Sequence, residues 1–144
     1  MLEHLYSMQN KVCVVTGGSR GLGEFMAKGF LQAGAGRVYI TARNAEECQA
    51  TAEHLAQYGE CIALPGNLSS MEEIGALVAE LSRREPAVHV LVNNAGVSGP
   101  TAPVEDVSPK DWQQTLDVSL SGAFHLTRAI VPTMKALRSG VIIN

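Results

Sequence analysis

Thr16-Gly17-Gly18-Ser19-Arg20-Gly21-Leu22-Gly23 follows directly on the apolar run Val12-Cys13-Val14-Val15, and this junction decides the fold. A short β-branched run that stops at a cluster of glycines reads as a strand turning into a helix. Gly17, Gly21 and Gly23 leave the amides at the helix start uncovered by any Cβ, as close approach of a phosphate requires. Gly23 also permits the helix to pack tightly on the strand. The turn therefore reads as a seat for a dinucleotide pyrophosphate at a helix N-terminus. Its spacing departs from the G-x-G-x-x-G fingerprint. It also fails as a triphosphate loop. Gly18 and Gly23 stand at the right interval, but Glu24 and Phe25 occupy the places of Lys and Ser/Thr, and an acid there repels phosphate.

Working outward, short apolar runs at 12–15, 38–40, 62–64, 88–92 and 141–143 alternate with helical stretches at 21–33, 45–58, 70–85 and 109–138. Runs apolar on both faces suit strands covered by helices on both sides. The order β-α-β-α-β-α-β-α-β, with right-handed crossovers, implies a parallel sheet between two helical layers. Ser108 and Pro109 mark the start of the last helix, and Pro132 is expected to kink it or shift it outward. Gly34, Gly59 and Gly140 fall where a left-handed residue closes a helix. The irregular stretch 96–107 lies at the carboxyl edge of the sheet, where open α/β sheets bind ligands.

The bulk numbers set limits on the partners. A chain of 144 residues, 46% apolar and 17% charged, is one domain's worth with a single core. A net charge of −3 offers no general attraction to nucleic acid or to an anionic membrane, so phosphate binding must be local. No apolar run reaches the ~20 residues that span a bilayer. Met1-Leu2-Glu3-His4-Leu5 lacks the basic start of a signal peptide. Asn67-Leu68-Ser69 is accordingly discounted as a glycosylation site. Cys13, Cys48 and Cys61 are unpaired in spacing and read as reduced thiols of a cytoplasmic protein, and the four histidines are too scattered for a metal site.

The ends of the later strands carry the remaining candidates. The second strand ends in Thr41-Ala42-Arg43, where NAD binders place an acid for the ribose hydroxyls. Arg43, with Arg20 of the glycine turn, instead suits a 2′-phosphate, which favours NADP(H) over NAD(H). After the third strand, the Asn67 amide oxygen is expected to accept from an adenine amino group while Leu68 lies against the ring. The fourth strand ends in Asn93-Asn94-Ala95-Gly96, two carboxamides for cross-linking strand ends and two small residues for backbone contact with a ribose.

These residues resemble the short-chain dehydrogenase/reductase family, in its classical form. The family's T-G-x-x-x-G-x-G matches at Thr16, Gly17, Gly21 and Gly23, with Ser19 and Leu22 inside the motif, and its N-N-A-G matches at Asn93 to Gly96. Trp112 and the apolar stripe to Leu137 resemble its long helix. Gly18-Ser19-Arg20 and Arg43 are most similar to NADPH-dependent carbonyl reductases, β-ketoacyl reductases included. The resemblance implies a doubly wound, three-layer Rossmann fold. It also implies hydride transfer between NADP(H) and a small-molecule carbonyl or secondary alcohol, and a homo-oligomer, dimer or tetramer, when complete. Phe124, Ile130 and Leu137 are candidates for the subunit seam as well as for the core.

Two departures from the family pattern stand out. Ser119 occupies the position of the family's catalytic Asn, which helps hold a proton-relay water partly through its backbone carbonyl. Ser119 retains the backbone but a shorter side chain, and a helical serine otherwise bonds its own backbone. The family's Ser and Tyr-x-x-x-Lys set follows the fifth strand, and no Tyr-x-x-x-Lys occurs in this sequence. Residues 1–144 are therefore expected to be an NAD(P)-binding domain incomplete at its C-terminus, part of a chain of about 250 residues. A mature, non-catalytic binding module is the alternative. A flavodoxin-like or receiver domain needs a different first loop.

Overall fold

The computed structural model describes residues 5–144; the Met1–His4 part of the stretch compared above with a signal peptide lies outside the described residues. The elements run β1 (Val12–Thr16), α1 (Gly21–Gln32), β2 (Arg37–Thr41), α2 (Ala45–Leu55), β3 (Cys61–Ala63), α3 (Met71–Arg84), β4 (Val90–Val92), α4 (Pro109–Leu116), α5 (Ala123–Leu137) and β5 (Val141–Ile143). The five strands form one parallel sheet in the order β3-β2-β1-β4-β5. The order reverses between β1 and β4, so crossovers leave opposite sides of that gap and open a crevice at its carboxyl end.

Strand alternation builds two cores. Val12, Val14 and Tyr39 face Leu77, Leu126 and Ile130 of α3 and α5. Cys13, Val15, Val38 and Ile40 face Ala27, Leu31, Cys48 and Leu55 of α1 and α2. Every residue of β1 is buried, which explains why its sequence shows no polar alternation. The doubly wound, three-layer α/β/α fold is as expected from the sequence. Among the described residues no helix is long and apolar enough to cross a membrane.

Several local expectations need correction. β4 begins at Val90, not at 88; just before it, His89 bonds Val12 and Val141 through its backbone, and its ring Nδ1 accepts from the Val12 N–H at 3.0 Å. The helix expected over 45–58 ends at Leu55 and tightens into a 3-10 turn at Ala56–Tyr58. The stretch 109–138 is not one regular helix. A π-helical turn at Asp117–Gly122 separates α4 from α5, while α5 runs through Pro132 without a break. After α5 the left-handed residue is Arg138 (φ 52°), not Gly140. Gly140 is small for a packing reason, since a Cβ there would lie 2.6 Å from Met134 Cγ. Ile130 is core, whereas Phe124 and Leu137 are exposed.

Candidate cofactor-binding site

The site starts from Thr16, the last residue of β1. Its side chain, 1% exposed, donates to the Val92 carbonyl at 3.1 Å and accepts from the N–H groups of Asn94 (3.0 Å) and Ala95 (2.9 Å). Asn94 returns the link through Nδ2, which donates to the carbonyls of Thr16 (3.0 Å) and Gly17 (3.1 Å). The ends of β1 and β4 are thus sewn together by neutral bonds, the cross-link expected of the carboxamides. Asn93 makes a second link, its Nδ2 donating to Thr127 Oγ1 at 3.0 Å and to Asn144 Oδ1 at 2.8 Å.

Glycine is required at three points in this turn, at Gly21 by its left-handed backbone (φ 57°). Gly17 (φ 63°) turns the chain over Ala95, and a Cβ there would meet Ala95 Cα at 3.0 Å. At Gly23 a Cβ would lie 2.1 Å from the Gly17 carbonyl oxygen, so α1 sits directly on the turn. Gly21 differs: nothing lies within 4 Å of where its Cβ would be. That open space adjoins the first turn of α1, which has no side-chain cap; α5, the other helix without one, continues directly from the π-helical turn. Asn44, Ser70 and Ser108 cap α2, α3 and α4, whereas Arg20 makes no cap bond to α1. The amides and positive dipole end of α1 are left available to an anion.

A cleft of about 770 Å³ opens over this turn. It brings together Gly17, Ser19, Arg20, Gly21, Arg43, Leu68, Asn94, Ala95 and Gly96 of the residues proposed from sequence. Three others stand outside its lining. Gly23 serves helix packing, Leu22 is exposed on the first turn of α1, and Asn67 is committed elsewhere. The Asn67 oxygen already accepts from the Ser69 N–H (3.0 Å) and Ser69 Oγ (2.8 Å), and its own N–H donates to Glu73. Both lone pairs are therefore used, and Asn67 has no free acceptor for an adenine; Gly66 and Leu68 line the cleft beside it.

Arg20 and Arg43 are both exposed at the cleft, and the ion pairs among the described residues join other partners, Arg37 to Glu60 and Glu85, and Glu80 to Arg83 and Arg84. Ser119 lies in the π-helical turn, and its Oγ accepts from the Val97 N–H at 3.2 Å. The bond reaches across to the β4 loop instead of back to the helix's own backbone. Gly122, in the same turn, packs against the residue after β3: a Cβ there would lie 2.5 Å from the Leu68 carbonyl oxygen. Sequence reasoning missed the anchoring role of Thr16, the buried Thr41 and the presence of Glu47 in the cleft. The Glu47 signal, Asn44-x-x-Glu47, is a helix-capping pattern and reads as structural.

The geometry agrees with comparison to known proteins. The chain belongs to the short-chain dehydrogenase family, whose profile matches residues 11–144. A 3-oxoacyl-[acyl-carrier-protein] reductase of rhamnolipid biosynthesis from Pseudomonas aeruginosa is 37% identical over 130 residues, 90% of this chain and 50% of that protein. A metagenomic short-chain oxidoreductase solved in complex with NADP superposes with a TM-score of 0.89 at 36% identity, over 95% of this chain and 62% of that one. The Pseudomonas aeruginosa RhlG/NADP active-site complex gives 0.85 at 35% identity, over 91% and 50%. The chain spans about half the length of the curated relative it matches.

Proposed function

We propose that this chain is the cofactor-binding half of an NADP(H)-dependent oxidoreductase that transfers hydride between the nicotinamide and a small-molecule carbonyl or secondary alcohol. The observation that carries the reading is the pair Arg20 and Arg43, brought to one cleft from two strand ends beside an uncapped helix start. Two guanidinium groups without a carboxylate partner among the described residues suit a 2′-phosphate. The fit is supported by the start of α1, which has no side-chain cap and opens on the space beside Gly21.

The bound cofactor supplies the hydride chemistry. This chain's residues bind and orient. Thr16 and Asn94 hold the β1 and β4 ends at a fixed separation, and Asn94, Ala95 and Gly96 offer backbone to the cofactor's ribose. Ser119 braces Val97 and so positions the loop that borders the cleft. The named relatives are a reductase and short-chain oxidoreductases, and no comparison favours the alternative of a module without catalysis. The exposed apolar side chains Leu120, Phe124 and Leu137 suit a homo-oligomeric contact, to be checked by sedimentation.

Titration with NADPH and NADH, followed by the fluorescence of the reduced nicotinamide, tests the cofactor reading. NADPH is expected to bind more tightly. Binding of neither cofactor sinks the proposal.

A further inference from the structure

α2 reaches into the glycine turn with two side chains one helical turn apart. Ser19 Oγ donates to Glu47 Oε1 at 2.6 Å, and Thr51 Oγ1 donates to the Ser19 carbonyl at 2.7 Å. Asn44 fixes the first turn of α2 by accepting from the Glu47 N–H at 3.0 Å, so the carboxylate is held in place. Ser19 is buried (7% exposed), and Ser19, Arg20, Arg43, Asn44 and Glu47 all line the same cleft. A carboxylate therefore stands in the pocket assigned to the 2′-phosphate, bonded to one of that pocket's few hydroxyl donors.

A serine hydroxyl has one proton. It serves Glu47 or a phosphate, not both. If the phosphate takes it, Glu47 loses its partner and faces a like charge in a cleft partly shielded from water, where repulsion over a few ångströms is substantial. We propose that Glu47 is a specificity-determining residue: it opposes Arg20 and Arg43, lowers affinity for the 2′-phosphate and narrows the preference for NADP(H) over NAD(H). This inference rests on the cofactor site proposed above.

Calorimetric binding of adenosine 2′,5′-bisphosphate and of 5′-AMP to the chain separates the two questions. Glu47→Gln keeps an acceptor for Ser19 and removes only the charge. It is expected to tighten the bisphosphate about tenfold and to change 5′-AMP by less than about twofold. Glu47→Ala, which also frees the hydroxyl, is expected to tighten the bisphosphate at least as much. An unchanged or weaker bisphosphate in Glu47→Gln overturns the proposal, and so does an equal shift of both ligands, which marks a purely structural bond. Ser19→Ala tests the shared proton while leaving the residues of α2 unchanged, though it also frees the Glu47 carboxylate: the bisphosphate should weaken more than 5′-AMP, and no differential loss refutes the sharing. If the wild-type chain binds neither ligand, the cofactor reading itself falls.

Discussion

The two ends of the sheet solve the same problem by different chemistry. At the carboxyl end, the ends of β1 and β4 are joined by neutral bonds, Thr16 and Asn94 exchanging hydrogen bonds with backbone. At the amino end, Glu85 is 6% exposed and accepts from Tyr39 Oη at 2.6 Å and from the Arg37 guanidinium at 2.7 Å, while Arg37 also reaches Glu60 at 3.0 Å. Both arrangements staple neighbouring elements. Their difference is what they do to the surroundings. A neutral weave fixes geometry without adding a field, so the cleft's potential is left to Arg20, Arg43, Glu47 and the α1 amides. The ionic cluster lies at the end away from the cleft, where its charge perturbs no ligand.

This contrast is open to attack at both ends. The largest expected effect is alkaline. Burial pushes the Cys13 and Cys61 thiols from 9.0 up to about 12, and burial together with the bond to Glu85 raises the Tyr39 phenol above its usual 10.0. A raised value means the folded chain holds protons that the unfolded chain releases. Stability is therefore flat with respect to these groups below pH 9 and falls between pH 9 and 12. Urea midpoints measured across that window should drop steadily; a constant midpoint to pH 11 contradicts the assignment.

Gly23→Ala forces a Cβ to within 2.1 Å of a backbone oxygen that cannot swing away, and should cost about 3 kcal/mol or more in urea unfolding. Glu85→Ala removes the acceptor of both Tyr39 and Arg37 and should cost about 2 kcal/mol, with nucleotide affinity unchanged in the folded fraction. Thr16→Val keeps the shape but leaves the Asn94 and Ala95 amides unpaired. A loss of about 1–2 kcal/mol is expected, now accompanied by weaker nucleotide binding, and Thr16→Ser should restore both. Equal effects of Glu85→Ala and Thr16→Val on binding would erase the contrast between the two ends. The smallest stability effect belongs to Arg43→Asp, an exposed change expected to stay within about 0.5 kcal/mol while shifting preference from NADPH towards NADH.

Much of the fold is legible along the chain because its signals are short-ranged. The strand-to-glycine junction at Thr16, the cap Ser108 and the two-faced apolar runs each depend on a few adjacent residues. The structure departs from the local pattern mainly where distant groups intervene. The His89 ring bonds Val12 from 77 positions away, and the long helix yields a π turn where Gly122 meets Leu68. Asn67 is the local exception: Ser69, two residues on, occupies its oxygen with both its N–H and its hydroxyl.

The sequence by itself determined the parallel α/β order, the glycine turn and the arginines at two strand ends, since local pattern and turn chemistry suffice for these. Only the tertiary structure decided that Arg20, Arg43 and Glu47 share one cleft, that Thr16 is the knot between β1 and β4, and that α1 opens at that cleft without a side-chain cap. Those facts rest on the register of parallel strands and on which side chain reaches a donor first, and such competitions between residues far apart in the chain leave no mark in its local pattern.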